Sequence, residues 1–130
     1  MREHKNFWDR NAGQYDRFMR KDRAAYETMY GLIRPVVKGK TVLELATGTG
    51  LIAKNIVNAA AHIEASDTSA EMIREAKRRN HSAKLYFSVQ DMFCLPYADE
   101  SFEVVIVSNA LHIVPQPEKA LQEIKRVLKD

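Results

Sequence analysis

Long apolar runs, paired cysteines and blocks of like charge are all missing from this 130-residue chain. The lone cysteine, Cys94, excludes an internal disulfide and suits a reducing compartment, where it reads as a small apolar group rather than a nucleophile. No apolar stretch approaches the ~20 residues that span a bilayer, and "MREHKNFWDR" at the N-terminus lacks the apolar segment of a secretory signal. A cytoplasmic protein with no membrane partner is therefore expected. His4, His62, His81 and His112 show no ligand spacing and Cys94 has no cysteine companion, so no metal site is expected. Residues 1–40 hold ten Lys/Arg against five Asp/Glu, and residues 41–130 hold ten against twelve. The acids in the basic part are interspersed and no aromatic-basic repeat occurs, so solvated helix faces account for it and no nucleic-acid partner is expected.

What is present fits one domain, 1–130, with a helical cap at 1–38 and an α/β core at 39–130. Apolar side chains at Phe7, Trp8, Ala12, Tyr15, Phe18 and Met19, then Tyr26, Met29, Tyr30 and Ile33, have helical spacing, and Gly31, Pro35 and Gly39 punctuate the chain after them. "TVLELA" predicts a strand, "LIAKNIVNAA" a helix and "HIEAS" a second strand. Thr68 and Glu71 predict a capping box opening "SAEMIREAKRRN", whose Lys77, Arg78 and Arg79 suit the negative end of that helix. "AKLYFSV" and "FEVVIVSNA" predict strands three and four around the irregular "QDMFCLPYADES". Pro117 opens a last helix with an apolar stripe at Ala120, Leu121, Ile124, Val127 and Leu128. Alternating strands and helices imply a doubly wound parallel sheet.

In such a sheet, ligands sit at the carboxyl ends of the strands. Gly48, Gly50 and Ala53 satisfy the G-x-G-x-x-A spacing of a dinucleotide site, and Asp67 lies nineteen residues beyond Gly48, where a ribose-binding acid belongs. The glycine motif thus leaves an NAD-dependent oxidoreductase open. Against it stands Glu44, four residues before Gly48 in an otherwise apolar strand, because a pyrophosphate is repelled by a nearby carboxylate. With Asp67 and Asp91 after strands two and three, the acids favour a cationic, phosphate-free ligand such as S-adenosylmethionine.

"VLELATGTG", "EASDTSAEMIREA", "VQDMFCLPYADESFEVVIVSNALH" and "FWDRNAGQYDRFM", in the places they occupy, resemble motifs of the class I S-adenosylmethionine-dependent methyltransferases, most closely those related to ubiquinone and menaquinone biosynthesis. The resemblance implies a Rossmann-like sheet of strand order 3-2-1-4 behind N-terminal helices, lacking the later strands of the usual seven. It implies that Glu44 accepts from the methionine end of the cofactor, and that Gly48 and Gly50 let the backbone pass where a β-carbon would meet the ligand. Asp67 would accept the ribose hydroxyls beside Thr68, with Met72 near the adenine. Asp91 would accept from the adenine amino group beside Gln90, with Met92 over the ring and Asn109 at the methionine end. Ala46 stands where the family commonly has its first glycine, and strand geometry there would leave binding intact. Tyr15 is expected to join the site from an N-terminal lid.

Methyl transfer from a sulfonium needs a positioned nucleophile more than a base. His112 is the one candidate general base, and a packing role serves it as well. The acceptor is expected to be a small molecule. The sequence ends where the resemblance leads one to expect further strands, which leaves a cut chain, a natural fragment, or self-association through strand 102–108, and a truncated, non-catalytic cofactor-binding domain stands as the alternative to an enzyme.

Overall fold

The computed structural model describes residues 23–108 and 115–130. Tyr15, Asn109 and His112, with Phe7, Trp8 and Phe18, lie outside the described residues. In chain order the elements are α1 (Arg23–Val37), β1 (Thr41–Leu45), α2 (Leu51–Ile56), β2 (His62–Asp67), α3 (Ala70–Arg79), β3 (Leu85–Val89), β4 (Val104–Val107) and α4 (Pro117–Val127). The four strands form one parallel sheet in the order β3-β2-β1-β4, as the alternation of strands and helices and the family resemblance imply. Pairing runs Glu44 with Ala65 and Ile106, Leu45 with Val107, and Asp67 with Val89. This register brings the carboxyl ends of all four strands to one edge.

Alternation along β1 divides the interior in two. Val42 packs with Tyr30, Val37, Ile52, Ile56, Ile63, Ile73 and Phe87 on the face covered by α1, α2 and α3. Leu43 and Leu45 point the other way, to Met92, Leu95, Phe102, Ala120 and Val127. Burying each such aliphatic side chain contributes roughly 1.5–3 kcal/mol.

Several boundaries depart from the sequence expectation. Gly31 and Pro35 do not interrupt the first helix, which continues to Val37. The missing Pro35 N–H falls in its last turns, and Gly39 at φ 69° then turns the chain away. Helix α2 stops at Ile56 rather than near Ala60, because Ala59 and Ala60 donate to Ile56 and Val57 in tight three-residue turns. The cap of α3 is Ser69, whose hydroxyl accepts from Met72 N–H at 3.1 Å, not Thr68. Asp67 causes the shift: its carboxylate takes the Ser69 N–H at 2.9 Å and delays the helix by one residue. Strand β4 is confined to 104–107, since Phe102 instead bridges to Leu128. On α4, Ala120 and Val127 are buried, but Leu121 is half exposed and Leu128 leaves the helix for that bridge.

Candidate functional site

The loop 46–50 carries the chain from β1 into α2 across the tip of β2. Thr47 N–H donates to Ser66 O at 2.9 Å, and Gly48 N–H donates to Asp67 Oδ2 at 2.9 Å. Gly50 N–H closes a turn on Thr47 O at 3.0 Å. Asp67 is therefore bound on both sides, by Gly48 through one oxygen and by Ser69 through the other. Carboxylate oxygens carry more than one lone pair, so both can still accept from a diol.

Glu44 is only 1% exposed and lines a small cleft with Ala46, Thr47, Thr49 and Ser108, over Leu51 and Ile52. Thr47 Oγ1 donates to Glu44 Oε1 at 2.6 Å, and the first-turn N–H of Ala53 also donates to this carboxyl. Burial outweighs these bonds, and with the charge of Asp67 adding to it, pushes the Glu44 pKa up to about 8. The acid read in the sequence as a standing negative charge is thus held toward its protonated form near neutral pH.

That shift has a signed consequence for stability. Below pH ~4.5 both folded and unfolded chains hold the Glu44 proton, whereas between about 4.5 and 8 only the folded chain does, so stability falls as pH rises through that window. Glu44→Gln keeps an acceptor for Thr47 and removes the titration. Its stability relative to the parent is expected to rise by about 3 kcal/mol from pH 5 to pH 8 in urea unfolding. A difference that stays flat with pH would remove the buried proton from the account.

Ala46 is not in strand geometry: its φ is 56°, in the left-handed region. A β-carbon there costs about 1–2 kcal/mol, and glycine avoids it at the expense of a floppier unfolded chain. Ala46→Gly is accordingly expected to raise the melting temperature by about 2–4 °C, and a fall would show that packing of the methyl group against the cluster that holds Leu43 and Leu45 outweighs the strain.

Gly48 also has positive φ, 62°, and Gly50 has φ 83°. A β-carbon on Gly50 would meet the protein itself: Phe87 Cζ at 2.7 Å and Cε1 at 2.8 Å. The β3 ring by itself thus already requires glycine at position 50.

The remaining expected residues divide by burial. Thr68 is half-buried beside Asp67. Met72 and Met92 are both buried and present little surface, Met92 within the cluster around Leu43 and Leu45. Gln90 donates its backbone N–H to Asp67 O at 3.1 Å and its amide to Ser88 Oγ at 3.2 Å, tying the loop after β3 to β2. Asp91 is exposed and accepts from Phe93 N–H at 2.9 Å, a local turn that leaves its second oxygen able to accept. Sequence reasoning missed Thr47, Thr49 and Ser108, which supply the hydroxyls around Glu44; the one signal was their polarity within an apolar strand-turn segment. Among the described residues, no group of three or more His, Cys, Asp or Glu could hold a metal ion, and no helix is long and apolar enough to cross a membrane.

The donor set suits a cation better than a pyrophosphate. Among the described residues no Lys or Arg lines the cleft, and the Gly48 and Gly50 amides that a phosphate would claim are already bonded within the protein.

Comparison with known proteins agrees. A demethylmenaquinone methyltransferase of Clavibacter sepedonicus is 37% identical over 94 residues, which is 72% of this chain and 38% of that one. An uncharacterized protein of Methanocaldococcus jannaschii is 31% identical over 126 residues, covering 95% of this chain and 57% of its own length. The structure of the complex between the Haloferax volcanii Trm112 methyltransferase activator and a methyltransferase superposes with TM-score 0.80 at 30% identity, covering 94% of this chain and 55% of the other. A Thermotoga maritima S-adenosylmethionine-dependent methyltransferase gives 0.79 at 25% identity, covering 96% and 56%. The chain spans about two fifths of the length of the demethylmenaquinone methyltransferase and about half of the solved structures. Residues 43–130 match the family described as "Methyltransferase domain", and the chain belongs to the class I S-adenosylmethionine-dependent methyltransferases.

Proposed function

We propose that this chain holds S-adenosylmethionine at the carboxyl edge of the sheet and serves methyl transfer to a small molecule of the menaquinone type named in its relatives. The observation that carries the reading is Glu44, a buried carboxyl in a cleft that no basic residue lines among the described residues. In this arrangement Glu44, Thr47 and Ser108 take the amino-acid end, Asp67 takes the ribose hydroxyls beside Thr68, and Asp91 takes the adenine amino group beside Gln90. Gly48 and Ala46 shape the loop between them. When bound, the cofactor supplies an electrophilic methyl group on a positive sulfur. What the protein adds is orientation and water exclusion.

Tyr15 as a lid residue, Asn109 at the methionine end and His112 as a base belong to the same proposal. So does the division into a helical cap, 1–38, and a cofactor core, 39–130. Strand β4 is, with β3, one of the two edge strands among the described residues, and pairing of a second copy along 102–108 is its partner counterpart. Gel filtration that returns a monomer at every concentration would end that part alone.

Calorimetric titration tests the core of the reading. S-adenosylhomocysteine is expected to bind and NAD not to, and Glu44→Gln is expected to weaken the former about tenfold. Binding of NAD in preference would return the chain to the dinucleotide reading. Transfer of a labelled methyl group to a demethylated quinol separates an active domain from one that only binds.

A further inference from the structure

The segment between β3 and β4, residues 90–103, has neither helix nor regular strand, so its backbone groups need partners from elsewhere. One side chain meets much of that need. Arg126, in the last turn of α4, donates Nη2 to Leu95 O at 3.1 Å and Nη1 to both Tyr97 O and Asp99 Oδ1 at 2.8 Å. Glu123, one turn earlier, fixes the guanidinium, accepting from Nε at 2.7 Å and from Nη2 at 3.1 Å. Its Oε2 also accepts the Leu95 N–H at 2.7 Å. The same turn of α4 holds the far end of the segment, since Arg126 O and Val127 O accept from Glu100 and Phe102 N–H at 2.9 Å. Three acceptors at different positions demand the planar, many-donor fork of arginine, which the three-donor point charge of lysine does not reproduce.

What this fork holds is the stretch that begins with Asp91 and Met92. Met92 and Leu95 are buried with Leu43 and Leu45 in a cluster that α4 itself joins through Ala120 and Val127, so the clamp and the core together seat the loop. We propose that Arg126, set by Glu123, is a positioning residue for the loop bearing Asp91 and Met92, and through that loop governs which base the nucleoside site accepts. The selectivity half rests on the reading of this edge as the cofactor site. An adenine offers an amino group to an acceptor at Asp91, whereas hypoxanthine turns a carbonyl toward it.

Arg126→Lys tests both halves. Amide hydrogen exchange at residues 93–99 is expected to quicken about tenfold while amides of β1 and β2 keep their rates. The parent is expected to prefer S-adenosylhomocysteine over S-inosylhomocysteine by about tenfold or more, and the variant to narrow that ratio to about threefold or less. A ratio preserved while both affinities fall together would mark Arg126 as merely structural, and unchanged loop exchange would overturn the clamp itself. If Arg126→Lys does not fold, Glu123→Gln, which keeps a carbonyl for Leu95 but loses the paired carboxylate, carries the same readouts. A parent that binds neither nucleoside overturns the cofactor reading and the selectivity built on it, and the exchange rates then separate that failure from a failure of the clamp.

Discussion

Gly50→Ala is expected to lower stability by about 3 kcal/mol, a drop of about 10 °C in melting temperature. Two independent costs meet at this position. The backbone at φ 83° is one that L side chains rarely adopt, worth about 1–2 kcal/mol. The added carbon would also lie 2.7 Å from Phe87 Cζ and 3.2 Å from Asn80 Nδ2. Phe87 is buried in β3 and Asn80 is held by its bond to Ala76 O at 2.8 Å, so neither moves aside freely. Overpacking of this kind adds about 1–3 kcal/mol. Phe87→Leu makes room for the methyl group without altering the backbone angle. The double variant is therefore expected to be less destabilised than the sum of the singles by about 1 kcal/mol or more, measured by urea unfolding. Simple additivity, with a small cost at Gly50, would refute the contact.

Asp67→Asn carries the largest expected loss of binding. The carboxylate accepts from Gly48 and Ser69 through different oxygens, and an amide can serve only one of them while turning N–H against the other. Stability is expected to fall by about 1–3 kcal/mol, and affinity for S-adenosylhomocysteine by about a hundredfold, because both the loop and the ribose acceptor are disturbed. A third readout is specific to this site. The Asp67 charge helps to raise the Glu44 pKa, so the variant should move the Glu44 titration downward. Intact affinity together with an unmoved titration would take Asp67 out of the site.

The parts of the fold that sequence made legible are those written in short-range periodicity. The order of elements, Pro117 as the opening residue of α4, and the Lys77–Arg79 cluster at the end of α3 follow from spacing of a few residues, and the structure has all three. Glu44 and Asp67 were legible for a similar reason: an acid inside an apolar strand and an acid at a strand tip stand out locally. The misses involve partners far apart in sequence. Nothing near Gly50 announces that Phe87 lies against it. The capping site moved from Thr68 to Ser69 because Asp67 already serves a glycine nineteen residues earlier. Arg126 looks like one more solvated charge in "EIKRVLKD", and only the folded chain shows its bonds to a loop about thirty residues upstream. Ala46 differs again, since its letter gives no hint of a left-handed backbone and the glycine common there in the family was the clue.

The hydroxyl-lined hollow beside β1 also governs what it leaves alone. While its acid carries hydrogen, the hollow has little pull on magnesium, potassium or polyamines, which meet weak dipoles instead of a bare anion. A ligand whose shape and donors make ionisation worthwhile draws out the charge, so burial of Glu44 works against simple cations.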